Sequence, residues 1–220
     1  MKKFAYLYPD YESEIVTIEE AAKRRKYNPE MYEGRTYYDM VLLRPVVPRI
    51  FKDPHSSSFV FKSTLHNQGH KNGSKGISHD LIQQFICQIK NEWTFKLFQK
   101  CYRIKVQSID YEFYIYDEVL KQKRFIDCMI HLAEDCPYYE IFDGKIGIEV
   151  TDTSKTKYLK ISTLKRLKLN VLELKTIPDW HIDNKSQIEV KEVIFLKSRI
   201  KGFLEKEPRL QSLHLNRFLQ

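Results

Sequence analysis

Apolar positions carry most of the structural information after residue 75. In SHDLIQQFICQIKNEW they fall at 81, 82, 85, 86, 89 and 93, a helical spacing. The spacing predicts a helix with Ser78 as its N-cap and Ile77 stapled onto Ile82. The runs YRIKVQ (102–107), YEFYIYDEV (111–119), KRFIDCMIHL (123–132) and KIGIEVT (145–151) are rich in β-branched and aromatic residues, and read as strands. The breaks SID and LKQ between the first three predict an antiparallel meander. SKTKYLKISTLKRLKLN (154–170) reads as a basic helix with Tyr158, Ile161, Leu164 and Leu167 inward, and VLELKTI (171–177) as one more strand. The tail EVKEVIFLKSRIKGFLEKEPRLQSLHLNRFL predicts a helix pair broken before Pro208.

Residues 1–75 follow no such pattern. They hold five of the eight prolines and many tyrosines, with one short helix in TIEEAAKRRK, where Thr17 as N-cap and Glu20 three residues later form a capping box. HNQGHKNGSKG is a turn-rich loop; its His66 and His70 are four apart, but the glycines argue against the helix a metal pair would need. Three parts follow: an irregular N-terminal segment (1–75), a mixed α/β core (76–180) and a C-terminal helical segment (181–220). No internal repeat appears.

Composition narrows the setting. The chain of 220 residues carries 37 Lys+Arg against 29 Asp+Glu, a net charge of +8, which suits an anionic partner. Cysteines 87, 101, 128 and 136 form no CxxC pair, so neither a zinc ribbon nor a disulfide framework is indicated. No apolar run reaches membrane-spanning length, and the start MKKFAYLYPDYESE turns acidic where a signal peptide would be apolar. The expectation is a reducing, cytoplasmic protein without a membrane. P-loop, GxSxG and GxGxxG patterns are missing, which leaves nucleotide hydrolysis and serine chemistry without support.

Two strands each carry a carboxylate among apolar neighbours: Asp127 in RFIDCMIHL and Glu149 in GKIGIEVTDTSK. By strand alternation Ile126 and Cys128 share a face and Asp127 takes the other; likewise Ile148 and Val150 oppose Glu149 and Thr151. On neighbouring strands the two carboxylates converge, and convergent carboxylates repel unless a proton or cation lies between them. Oxygen-only ligation of that kind suits Mg²⁺ or Mn²⁺. The competing reading is a pair of edge-strand acids facing water.

The arrangement of Asp127 and then Glu149-Val150-Thr151, after a leading helix and before a basic one, resembles the PD-(D/E)xK nuclease core, and in particular the competence protein CoiA-like family. TIEEAAKRRKYNPEMY resembles that family's N-terminal helix, FVFKSTLHNQGH (59–70) its Phe/His segment, GISHDLIQQF its His-bearing helix, RFIDCMI its Asp strand and IEVTDTS its Glu strand. The resemblance covers most of residues 15–175 and implies a restriction-endonuclease-like α/β core: helix, antiparallel strand meander, helix, strand. It also implies Asp127 and Glu149 as metal ligands with the Val150 carbonyl as a third, and His79 and Gln83 as accessory residues. Three departures stand out. YNPEMY replaces the family's cysteine pair, which leaves a degenerate zinc knuckle. Gln83 stands where the family helix carries a basic residue. Thr151 occupies the position that most related nucleases give to a lysine orienting water and stabilising phosphate charge. Lys155, Lys157 or Lys160 is the candidate replacement cation. Lys157, Lys160, Lys165, Arg166 and Lys168 form the expected DNA-backbone contact, with a merely solvated face as the alternative. The expectation is a Mg²⁺- or Mn²⁺-dependent deoxyribonuclease. The alternative is a catalytically inactive nuclease fold that binds DNA or a protein partner in a competence or mobile-element system.

Overall fold

The computed structural model describes residues 3–52, 56–62, 76–151, 158–180 and 189–216. The molecule is mixed α/β and divides into two compact units, 1–81 with 182–195 and 82–181 with 196–220.

The first unit contains β1 (Phe4–Tyr6), β2 (Ile15–Thr17), β3 (Tyr37–Tyr38), β4 (Pro45–Arg49) and β5 (Ser58–Phe61), which form one sheet in the order β2-β1-β3-β4-β5. Every pairing in it is antiparallel. The segment expected to be irregular is therefore an organised sheet. Its strands are two to five residues long, too short for alternation to register. Helix α1 (Ile18–Tyr27) starts as expected, with Thr17 Oγ1 accepting the Glu20 N–H at 3.0 Å; the Glu20 carboxylate turns instead to Arg24. YNPEMY spans the end of α1 and the four-residue α2 (Pro29–Tyr32). Ala5, Leu7, Val16, Ile18, Ala21, Tyr37, Val46 and Phe59 make the core. Buried Asp39 builds the β3–β4 turn by accepting the N–H groups of Val41 (3.0 Å) and Arg44 (2.6 Å).

The second unit is built on β6 (Glu92–Leu97), β7 (Lys100–Asp117), β8 (Gln122–Leu132), β9 (Lys145–Thr151), β10 (Val171–Lys175) and β11 (Gln211–His214). They form one mixed sheet in the order β11-β10-β9-β8-β7-β6. Neighbours from β6 to β9 are antiparallel, β10 runs parallel to β9 after the crossover through α4 (Tyr158–Arg166), and β11 is antiparallel to β10. The described residues also form helices α3 (Ile77–Cys87) and α5 (Val190–Glu205) and a 3-10 turn at Pro178–Trp180.

Several boundaries differ from the sequence reading. Helix α3 stops at Cys87 and Trp93 belongs to β6, while Ser78 lies inside the first turn of the helix. The SID segment is no turn: β7 runs through it unbroken, and exposed Asp110 pairs with His131 at 2.8 Å. The β6–β7 hairpin turns on Phe98 and Gln99, both left-handed (φ 50° and 66°), a geometry usually marked by Asn-Gly. In α4 only Thr163 and Leu164 are buried, and Tyr158, expected inward, is 80% exposed. Among its described residues the C-terminal segment is one helix and a strand, because Pro208 is followed by the ladder of β11 on β10. Its approach also meets the opposite outer strand: Lys96 of β6 donates its N–H to Pro208 O (2.9 Å) and accepts from Leu210 (2.8 Å).

Candidate functional site at the fork between β8 and β9

Strands β8 and β9 pair from His131↔Lys145 to Cys128↔Ile148. Beyond that point β9 continues against β10 alone (Glu149↔Glu173, Val150↔Leu174, Thr151↔Lys175), while β8 continues against β7. Asp127 and Glu149 are thus the first residues past the parting of the two strands. Asp127 Oδ2 accepts the Val150 N–H at 2.8 Å and so bridges the fork with its side chain. Both acids are buried, at 4% and 5% exposure.

The expected alternation around Asp127 does not hold. Ile126 clusters with Met129, Leu164 and Val171, whereas Cys128 Sγ lies 4.0 Å from Cys87 Sγ on α3. Ile126 and Cys128 therefore face opposite sides, where strict pleating would place them together. Across the ladder, Glu112 adopts a left-handed φ of 51°, and the β7–β8 register brackets it between Tyr111↔Cys128 and Phe113↔Ile126. A local irregularity at Glu112 and Asp127 changes the face of both strands at once. The direction of Asp127 is set by its bond to Val150, not by the pleat.

Glu149 meets Lys160 from α4, with Nζ 2.6 Å from Oε2; the side chains are 7% and 20% exposed. Glu173, a third carboxylate that the sequence reading missed, lies in register with Glu149 on β10 and is also buried. Its signal was present in VLELK, where an acid interrupts an apolar strand as Asp127 and Glu149 do. Lys175 Nζ stands 3.7 Å from Glu173. Thr151 Oγ1 is buried and has no hydrogen-bond partner among the described residues. Gln83 of α3, wholly buried, donates Nε2 to Asp127 O at 3.4 Å, and its Oε1 has no partner among the described residues. Val150 is buried, with its N–H held by Asp127. His79 is buried on α3, in the first unit.

The expected cationic face is partly committed inward. Arg166 forms an ion pair with buried Asp117, which also accepts from Thr163 Oγ1. The Thr163 hydroxyl and the Arg166 guanidinium hold the Asp117 carboxyl well below the usual carboxylate range. Lys165 and Lys168 are exposed. Lys155 and Lys157, with His66 and His70, lie outside the described residues.

The donors at the fork are oxygens throughout, a chemistry that fits a hard divalent cation. Among the described residues, however, no group of three or more His, Cys, Asp or Glu side chains is placed to hold a metal ion. As arranged, the cation at Glu149 is the Lys160 ammonium. No described helix is long and apolar enough to cross a membrane. No protein-family model, curated protein or solved structure matches the chain.

Proposed function

We propose that the second unit is a degenerate PD-(D/E)xK-type, CoiA-like module that acts on the DNA backbone, with Asp127 and Glu149 as its acidic pair. The observation that carries this reading is Lys160 Nζ at 2.6 Å from Glu149 Oε2. It puts an ammonium beside the acidic strand, where Thr151 supplies none, and from the helix that follows that strand. Asp127, Glu149 and the Val150 carbonyl would hold Mg²⁺ or Mn²⁺, whose role is to activate water and neutralise phosphate charge. Lys160 would orient the scissile phosphate and offset its developing charge. None of the four cysteines forms a disulfide.

Purified protein is assayed on single-stranded, double-stranded and branched DNA with Mg²⁺ or Mn²⁺. Cleavage lost in Asp127→Ala, Glu149→Ala and Lys160→Ala, with binding retained, is the expected result. A wild type that cuts none of these substrates refutes the enzymatic reading. In that case the chain is an inactive nuclease fold that binds DNA or a protein, a second reading favoured by Thr151.

A further inference from the structure

The outer half of the β7–β8 hairpin has two different sides. Ile115 and Asp117 turn toward α4, as the Ile115–Leu164 cluster and the Asp117–Arg166 pair show. The alternate residues Tyr114 and Tyr116 remain 48% and 43% exposed. Across the ladder Tyr114 pairs with Phe125 and Tyr116 with Lys123. The Tyr114 and Phe125 rings meet edge-on at 5.7 Å, and Lys123 Nζ lies 5.9 Å from the Tyr114 ring centre. Around the tip, residues 118–124 include Lys121, Lys123 and Arg124 against the single acid Glu118.

An apolar side turned to solvent is costly unless something covers it. Here Lys123 lies over the Tyr114 ring and the hairpin tip is basic, which does not suit an apolar protein partner. The pattern suits splayed bases whose phosphates run alongside. Tyrosines two apart on a strand stand about 6.8 Å from each other, room for separate bases and too far apart for the stacked bases of a duplex. Phe125 is two residues from Asp127 along β8, and the row lies on the side of the sheet away from Ile126 and α4.

We propose that Tyr114, Tyr116, Phe125 and Lys123 form a binding face for single-stranded DNA. The proposal rests on the reading that the chain acts on DNA, and it names the strandedness of the substrate. It also moves the main contact from the α4 face, where Arg166 and Lys160 hold internal acids, to the hairpin.

The test is fluorescence anisotropy of a labelled oligothymidylate with the full chain in EDTA, where no metal-dependent cleavage occurs and loss of binding cannot be confused with loss of activity. Tyr114→Leu with Tyr116→Leu keeps apolar area but removes the ring faces, and the double variant should weaken binding at least tenfold. Lys123→Ala should weaken it less and lower the salt dependence by about one phosphate contact. Melting curves matching the wild type confirm folding of each variant. Unchanged affinity in the double variant overturns the proposal. So does tighter binding of the matching duplex or RNA, or a wild-type dimer that the tyrosine substitutions dissociate.

Discussion

Lys160→Met removes the ammonium 2.6 Å from Glu149 and keeps most of the packing of the side chain. At an effective dielectric near 20, a charge pair at that distance attracts by about 6 kcal/mol, most of which is offset by desolvation of the two ions. Removing one partner of a buried pair costs about 3–5 kcal/mol, and the 20% exposure of Lys160 lets water recover part of it, so a loss of roughly 2–3 kcal/mol is expected. Urea unfolding followed by tryptophan fluorescence reads this cleanly. The two tryptophans, Trp93 and Trp180, are both buried in the second unit, and the signal therefore reports that unit. Adding Glu149→Gln should bring the midpoint of the double variant to within about 1 kcal/mol of the wild type, since the buried charge then disappears with its partner. Mg²⁺ should raise the midpoint of Lys160→Met more than that of the wild type, because a divalent ion can take the position the ammonium left. At ten times its Kd this linkage gives about 1.4 kcal/mol. A Lys160→Met midpoint equal to the wild type, or no recovery with Glu149→Gln, refutes the pairing as the organiser of the fork.

Three more expectations follow from the same unit. Gly147→Ala would put a Cβ 2.9 Å from Val171 Cγ2 and 3.0 Å from Ile126 Cγ2, both buried, so a destabilisation of about 1–3 kcal/mol should appear in the urea midpoint. Asp117 is a carboxyl held below its ordinary value; its contribution is present above about pH 4, the unfolded value, and is lost as pH falls toward the depressed one. The stability gap between wild type and Asp117→Asn should therefore stay level from about pH 8 to 5 and narrow below about pH 4; a gap that narrows already between pH 7 and 5 contradicts the assignment. Replacing Phe98-Gln99 by Asn-Gly should raise the melting temperature, since both positions are left-handed, with a gain of about 1 kcal/mol.

What the sequence disclosed was whatever local pattern controls. Helix α3 and the strands around Ile126 and Ile148 were legible because their apolar runs are long, and β10 because VLELK is apolar but for Glu173 and Lys175; α4 was legible as a helix but not in the face it buries. The sheet of residues 4–61 was not, since strands such as Tyr37–Tyr38 are specified by partners elsewhere in the chain and by turns such as the one on Asp39. Asp127 and Glu149 lie buried where the neighbouring strands β8 and β9 part, yet the alternation used to orient Asp127 fails at the irregularity opposite Glu112. Glu173 was missed because register with Glu149 comes from a parallel crossover, which no spacing within the chain encodes. Arg166 looked like surface charge until Asp117, 49 residues away, claimed it.

The stretch from Pro208 to His214 bonds to the outer strand β6 through Lys96 and, as β11, covers β10, which would otherwise be an outer strand of the larger sheet. Open sheet edges are templates on which unfolded or neighbouring chains can add strands. β10 is the more hazardous of the two, with Val171, Leu172 and Leu174 all buried. One short C-terminal tail thus guards against aggregation at two places, and a chain cut before Pro208 would be expected to self-associate before it lost any residue of the fork.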